Sequence, residues 1–166
     1  MNTLDQESKR EYLRNFVFGV EDSLVSTVGL LSGVAIAGVE SATIILTGVI
    51  LIFVEALSMG AGSFLAESST EEFSRHHHKH NQLAVVGGGI MFLSYFLAGF
   101  IPLAPYFLFA PFQALVFSIL LSMISLFGLG LLSARISHIK SSRVALRMLV
   151  VGGLAIVVGT VVGLFF

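Results

Sequence analysis

Five long apolar stretches alternate with short polar segments along this chain, at residues 16–39, 42–66, 83–101, 112–134 and 145–166. Each is long enough for a helix to cross a hydrocarbon core, which takes about 20 residues. The breaks between them are a tight turn at Glu40-Ser41, a charged loop at 67–82, a turn at 102–111 and a basic loop at 135–147. A helix is the one open-chain structure that satisfies its own backbone in lipid. The pattern therefore predicts an all-α fold: a single domain, residues 1–166, built as a bundle of five transmembrane helices.

Composition agrees with this. The 166 residues are 55% hydrophobic and only 11% charged, with a mean hydropathy of +0.94. A soluble domain carries about 25% charged residues. The chain has no cysteine, which removes disulfides, thiolate metal sites and thiol nucleophiles. Residues 1–14 are polar and charged, unlike a cleavable signal peptide.

Charge then sets the topology. Lys9, Arg10 and Arg14 precede span 1, Arg75 and Lys79 lie between spans 2 and 3, and Arg135, Lys140, Arg143 and Arg147 lie between spans 4 and 5. These nine are all the Lys and Arg of the chain, and five alternating helices place every one on the same side. The positive-inside rule makes that side cytoplasmic, so the N-terminus is expected inside and Phe166 on the opposite side. Small residues recur at Gly29 and Gly33, Gly60 and Gly62, and Gly159 and Gly163. That spacing allows helices to approach closely, either within the bundle or across an oligomer interface.

Against this background three acidic residues stand out: Glu21, Asp22 and Glu55, all inside predicted spans. A carboxylate at the bilayer centre costs about 2.5–3.5 kcal/mol on insertion scales and marks a functional site by default. At 100° per residue, Asp22, Ser26, Gly29 and Gly33 share one helix stripe, and Glu55, Met59 and Gly62 share another. Carboxylate oxygens suit Mn²⁺ and Fe²⁺, and a thioether favours these over Mg²⁺ and Ca²⁺. The same carboxylates can carry protons, so the pattern fits a path that exchanges protons for metal. Met59 taken alone is more often core filler than ligand, and Glu21 lies near the end of span 1, where it can reach towards water.

At these residues the chain resembles the vacuolar iron transporter family, which includes the yeast calcium cross-complementer-type transporters. The likeness is carried by Asp22-Ser-Leu-Val-Ser-Thr-Val-Gly-Leu-Leu-Ser-Gly33, by Ala56-Leu-Ser-Met-Gly-Ala-Gly-Ser-Phe-Leu-Ala66 and by Ile101-Pro-Leu-Ala-Pro-Tyr106. With the five-helix layout it covers nearly the whole chain. The resemblance implies a homodimer whose metal path runs at the dimer interface, lined by the first helices. It implies export of Fe²⁺, with Mn²⁺, from the cytoplasm in exchange for protons. Asp22 matches the family's first-helix aspartate and Met59 its second-helix methionine.

The chain also departs from the family. Plant-type members carry a glutamate eight residues before that methionine, where this chain has Leu51, and Glu55 is the carboxylate that can stand in for it. Ser23 replaces the family's glycine after the aspartate. The glutamate-rich domain inserted between spans 2 and 3 is reduced here to residues 67–82, which hold Glu72, His76 and His80. On a continued helix these three fall on one face at i, i+4 and i+8, a set suited to Fe²⁺, Mn²⁺ or Zn²⁺. The competing reading is a solvated loop that binds metal adventitiously. The short form fits a prokaryotic plasma-membrane protein.

The leading expectation is thus a divalent-metal transporter and not an enzyme. Its metal-site candidates are Asp22, Met59, Glu55, Glu72, His76 and His80. Metal ions and protons are its substrates, with no resident cofactor, and the lipid bilayer and a second copy are its partners. A membrane-embedded metal-dependent enzyme and a non-transporting subunit of the same fold are the alternatives. Nucleic-acid and nucleotide binding have no motif to support them, because no Gly-rich phosphate loop precedes a Lys.

Overall fold

Apolar runs broken by short polar turns leave each helix antiparallel to the one before it, which fixes the two ends of the molecule. The computed structural model describes residues 3–74, 81–136 and 141–166. They form α1 (Thr3–Ile36), α2 (Ser41–Ser74), α3 (Asn81–Leu103), α4 (Pro111–Ile136) and α5 (Ser141–Gly163), with one turn of 3-10 helix, Ala104–Phe107, between α3 and α4. Among the described residues there is no strand, and all five helices are long and apolar enough to span a membrane. The all-α, five-helix expectation holds.

Two helices outrun their apolar stretches. α1 starts at Thr3, within the polar N-terminal segment, and α2 continues to Ser74. Residues such as Glu, Lys and Arg prolong a helix that the apolar run has already nucleated. The turns are set by local chemistry. Gly38 has φ +78°, which ends α1 without the penalty a side chain would bring. The Glu40 carbonyl then accepts the amides of Thr43 and Ile44 at 3.0 and 3.1 Å to start α2. Pro102 sits in the last turn of α3, and the Pro105 carbonyl accepts the Leu108 and Phe109 amides, both at 3.0 Å. Tyr106 in this turn is buried in an apolar cluster with Leu31, Ile44 and Leu103.

α1 is the hub. It packs on all four other helices, most extensively on α3 and α5, and Leu24, Val28 and Leu31 on it are fully buried. Half of its most apolar stretch is buried, against 17% for α5, so α5 and much of α2 face lipid through residues such as Leu46, Leu57, Leu154 and Val158. The bundle keeps small polar side chains inside, among them Ser23, Thr27, Ser32 and Ser94.

The glycine stripes of α1 and α5 meet inside the chain. A Cβ at Gly159 would overlap the Gly29 carbonyl oxygen, and one at Gly163 the Gly33 carbonyl oxygen. Gly60 lies against Gly88 and Phe92 of α3, whereas Gly62 faces open space. Of the two uses open to these stripes, packing within the bundle is the one the contacts display for Gly29, Gly33, Gly159, Gly163 and Gly60. Helix alternation also gathers the described basic residues Lys9, Arg10, Arg14, Arg135, Arg143 and Arg147 at a single end, here the basic end.

Overpacking a tight site costs about 1–3 kcal/mol. Gly159→Val is therefore expected to lower the melting temperature of the detergent-solubilised protein by several degrees. Gly128→Ala, where an added Cβ meets nothing within 4 Å, should leave it unchanged. Equal melting temperatures for the two variants would contradict the α1–α5 contact.

Candidate metal path

A carboxylate is tolerated inside a membrane bundle only where neighbouring helices supply polar partners, and α1 meets such partners on α2 and α3. Asp22 is half-buried on α1, and Glu55 is half-buried on α2. The two carboxylates lie close enough to repel each other. Glu21, also half-buried, adds its own repulsion on Asp22.

Tyr95 of α3 completes the group. Its ring is fully buried, and its hydroxyl shares a 2.7 Å hydrogen bond with Ser26 Oγ, one turn along α1 from Asp22. Ser23 Oγ donates to the Tyr95 carbonyl oxygen at 2.6 Å, which ties α3 to α1 at this level. Asp22 and Glu55 both act electrostatically on the Tyr95 hydroxyl. Three helices thus converge on two acids, one phenol and one serine hydroxyl. Ile52, Ser23 and Gly99 pack together next to this group, because the missing side chain of Gly99 lets α1, α2 and α3 close up.

The chain offers nothing basic to neutralise the acids here: residues 15–74, 81–134 and 148–166 contain no Lys, Arg or His. Two like charges held together out of bulk water attract a cation, and a divalent ion cancels both at once. Met59 is half-buried one turn from Glu55, towards the basic end, and Met91 of α3 places its Sδ beside Gly19 of α1. Each is one helical turn nearer the basic end than the acid group.

The structure therefore brings Asp22 and Glu55 together, with Met59 a turn away on the same helix. Glu72 lies on α2 near its end, well removed along the helix from Glu55. The side chain of Glu72, and His76 and His80 altogether, fall outside the described residues, and so does the loop set they would form. Among the described residues no three His, Asp or Glu are grouped tightly enough to hold a metal by themselves. Tyr95 is the member that the sequence reading missed. The signal for it is physical: a phenol in the middle of a lipid-crossing helix has to find a hydrogen-bond partner.

The family model described as the VIT family matches this chain over residues 13–86 and 77–164. No curated protein matches it. The matched ranges include every residue of the acid group.

Removing the phenol separates a structural role from a binding role. Interhelical hydrogen bonds in membranes are worth about 0.6 kcal/mol on average, so Tyr95→Phe is expected to change stability little. It should weaken Mn²⁺ binding to the solubilised protein several-fold, as read from the free-ion paramagnetic resonance signal. Unaltered Mn²⁺ affinity would remove Tyr95 from the site.

Proposed function

Because the chain belongs to the VIT family, whose members are membrane metal-ion transporters, we propose that it moves Fe²⁺ or Mn²⁺ out of the cytoplasm in exchange for protons. The observation that carries this reading is the Asp22–Glu55 pair: two carboxylates on neighbouring helices that act electrostatically on each other, with no basic residue in 15–74 or 81–134. Such a pair holds one divalent ion or its equivalent in protons, so loading one species expels the other. Tyr95, Ser26 and Met59 add neutral donors. These favour partial dehydration of the ion without binding it so tightly that release fails.

In this reading Asp22 and Glu55 take up the ion, Met59 contributes the softer donor, and the basic end faces the cytoplasm by the positive-inside rule. The working unit is a homodimer with the path at its interface. A groove of about 630 Å³ runs along α1 and α5, lined by Ser26, Gly29, Gly33, Val158 and Gly159 among others. A second copy laid along it would bring two α1 helices, and their Asp22 residues, near one another. Glu72, His76 and His80 would serve as a capture site ahead of the path. The membrane is proposed to be a prokaryotic plasma membrane.

The test is metal flux into liposomes with an opposing proton gradient. Asp22→Asn preserves size and removes charge, and it is expected to reduce flux at least tenfold. Glu55→Gln should do nearly as much, while Met59→Leu should lower Fe²⁺ flux relative to Mn²⁺. Wild-type flux in Asp22→Asn would end the assignment. Loss in Asp22→Asn with Glu55→Gln unaffected would leave Asp22 as the ligand and make Glu55 a packing residue.

A further inference from the structure

All ten acids of the chain lie within residues 1–72. Residues 73–166 hold none, yet they carry Arg75, Lys79, Arg135, Lys140, Arg143 and Arg147. The part of the chain that forms α4 and α5 is therefore cationic, with no acid of its own to offset the charge. Arg135, Arg143 and Arg147 are exposed at the basic end. Among the described residues none of these three is in an ion pair.

Helix packing brings the three together. A Cβ on Gly130 of α4 would lie 2.5 Å from the Cα of Ala145 on α5, so the two backbones are in contact at this level. Arg135 is five residues from Gly130, and Arg143 and Arg147 lie two residues either side of Ala145. At a rise of 1.5 Å per residue, their Cα atoms fall within about 10 Å of one another along the helix axes. Arg143 and Arg147 are one turn apart and stand on one face of α5. Beyond the arginines this edge is apolar. Val150 and Val157 of α5 are exposed on the stripe that begins at Arg143, and Leu120 and Ile124 of α4 are exposed on the stripe that ends at Arg135. None of these residues lines the groove along α1 and α5.

A surface that is cationic at one end and apolar along the rest has the chemistry of a phospholipid partner. Guanidinium groups bind phosphate with paired hydrogen bonds, and basic residues at a membrane surface attract anionic headgroups. A zwitterionic headgroup fits less well, because its ammonium would meet three arginines and find no carboxylate on α4 or α5. We infer that the α4–α5 edge binds one anionic phospholipid, its phosphate among Arg135, Arg143 and Arg147 and an acyl chain along Val150, Val157 and Ile124. The bound lipid joins the ends of α4 and α5 on the side that faces the bilayer. This inference is independent of the transport reading.

The experiment titrates the detergent-solubilised full chain with phosphatidylglycerol and, separately, phosphatidylcholine, and counts bound lipids by native mass spectrometry. The first phosphatidylglycerol should bind several-fold more tightly than the first phosphatidylcholine. Arg143→Gln with Arg147→Gln should weaken phosphatidylglycerol at least fivefold and leave phosphatidylcholine unchanged. Arg143→Lys with Arg147→Lys keeps both charges and should retain most of the preference, which separates lost charge from a lost fold. Arg10→Gln with Arg14→Gln removes the same charge from α1 and should leave phosphatidylglycerol binding as it is. Equal weakening in the two glutamine pairs would mean a diffuse field at the basic end instead of a site, and would overturn the inference. Displacement of the lipid by millimolar inorganic phosphate would also overturn it, since a site for phosphate alone uses no acyl chain. If the Arg143→Gln, Arg147→Gln pair changes the oligomeric state and leaves lipid affinity intact, the edge is a seam between copies and the inference fails.

Discussion

Burial of Asp22 beside Glu55 inside the bundle is the constraint around which its polar side chains are arranged. Each acid alone is expensive in a membrane, and bringing them together on α1 and α2 adds their mutual Coulomb energy. The fold accepts that cost by collecting polar atoms where it is incurred. Ser23 fastens the α3 backbone, Ser26 meets the Tyr95 hydroxyl, and Gly99 lets the three helices close around them. Elsewhere the same helices are ordinary membrane spans, apolar towards lipid and tightly packed towards one another. The polar group is thus a local exception held in place by a regular scaffold, which is the usual signature of function rather than of stability.

The position of α1 follows from this. It carries Asp22, touches every other helix and packs on α5 through glycines that leave no room for side chains. In the proposed transport, an ion at Asp22 would pass beside the helix that packs on all four others. Such packing would hold the proposed ligands in a fixed geometry. The groove that remains open along α1 and α5 is the part of this hub that the chain does not cover for itself.

Much of this was legible in the residue order, for a physical reason. Lipid forces a helix wherever an apolar run is long enough, so the five spans and their alternation could be read directly. Asp22 and Glu55 were conspicuous because nothing basic accompanies them. Other features were hidden, because one-dimensional spacing does not say which faces of two helices meet. The spacing of Gly29 and Gly33 favours internal packing but also allows an oligomer seam, and the contact with Gly159 and Gly163 depends on which helix faces meet. Nothing in its spacing marks Tyr95; the contact of its hydroxyl with Ser26 does. Asn15 and Glu67 are 52 residues apart in the chain, and only the structure shows that both lie against Gly87. The reach of α1 to Thr3 and of α2 to Ser74 was under-read, since helix propensity extends an element beyond its apolar core.

The central claim is that a divalent ion rests between Asp22 and Glu55. It is tested most directly by an anomalous-scattering map of Mn²⁺-loaded crystals recorded at the manganese edge. A peak within coordination distance of both carboxylates, absent from the same map of Asp22→Asn, is the result this account predicts. A map that leaves the Asp22–Glu55 level empty at Mn²⁺ concentrations that saturate transport would contradict it.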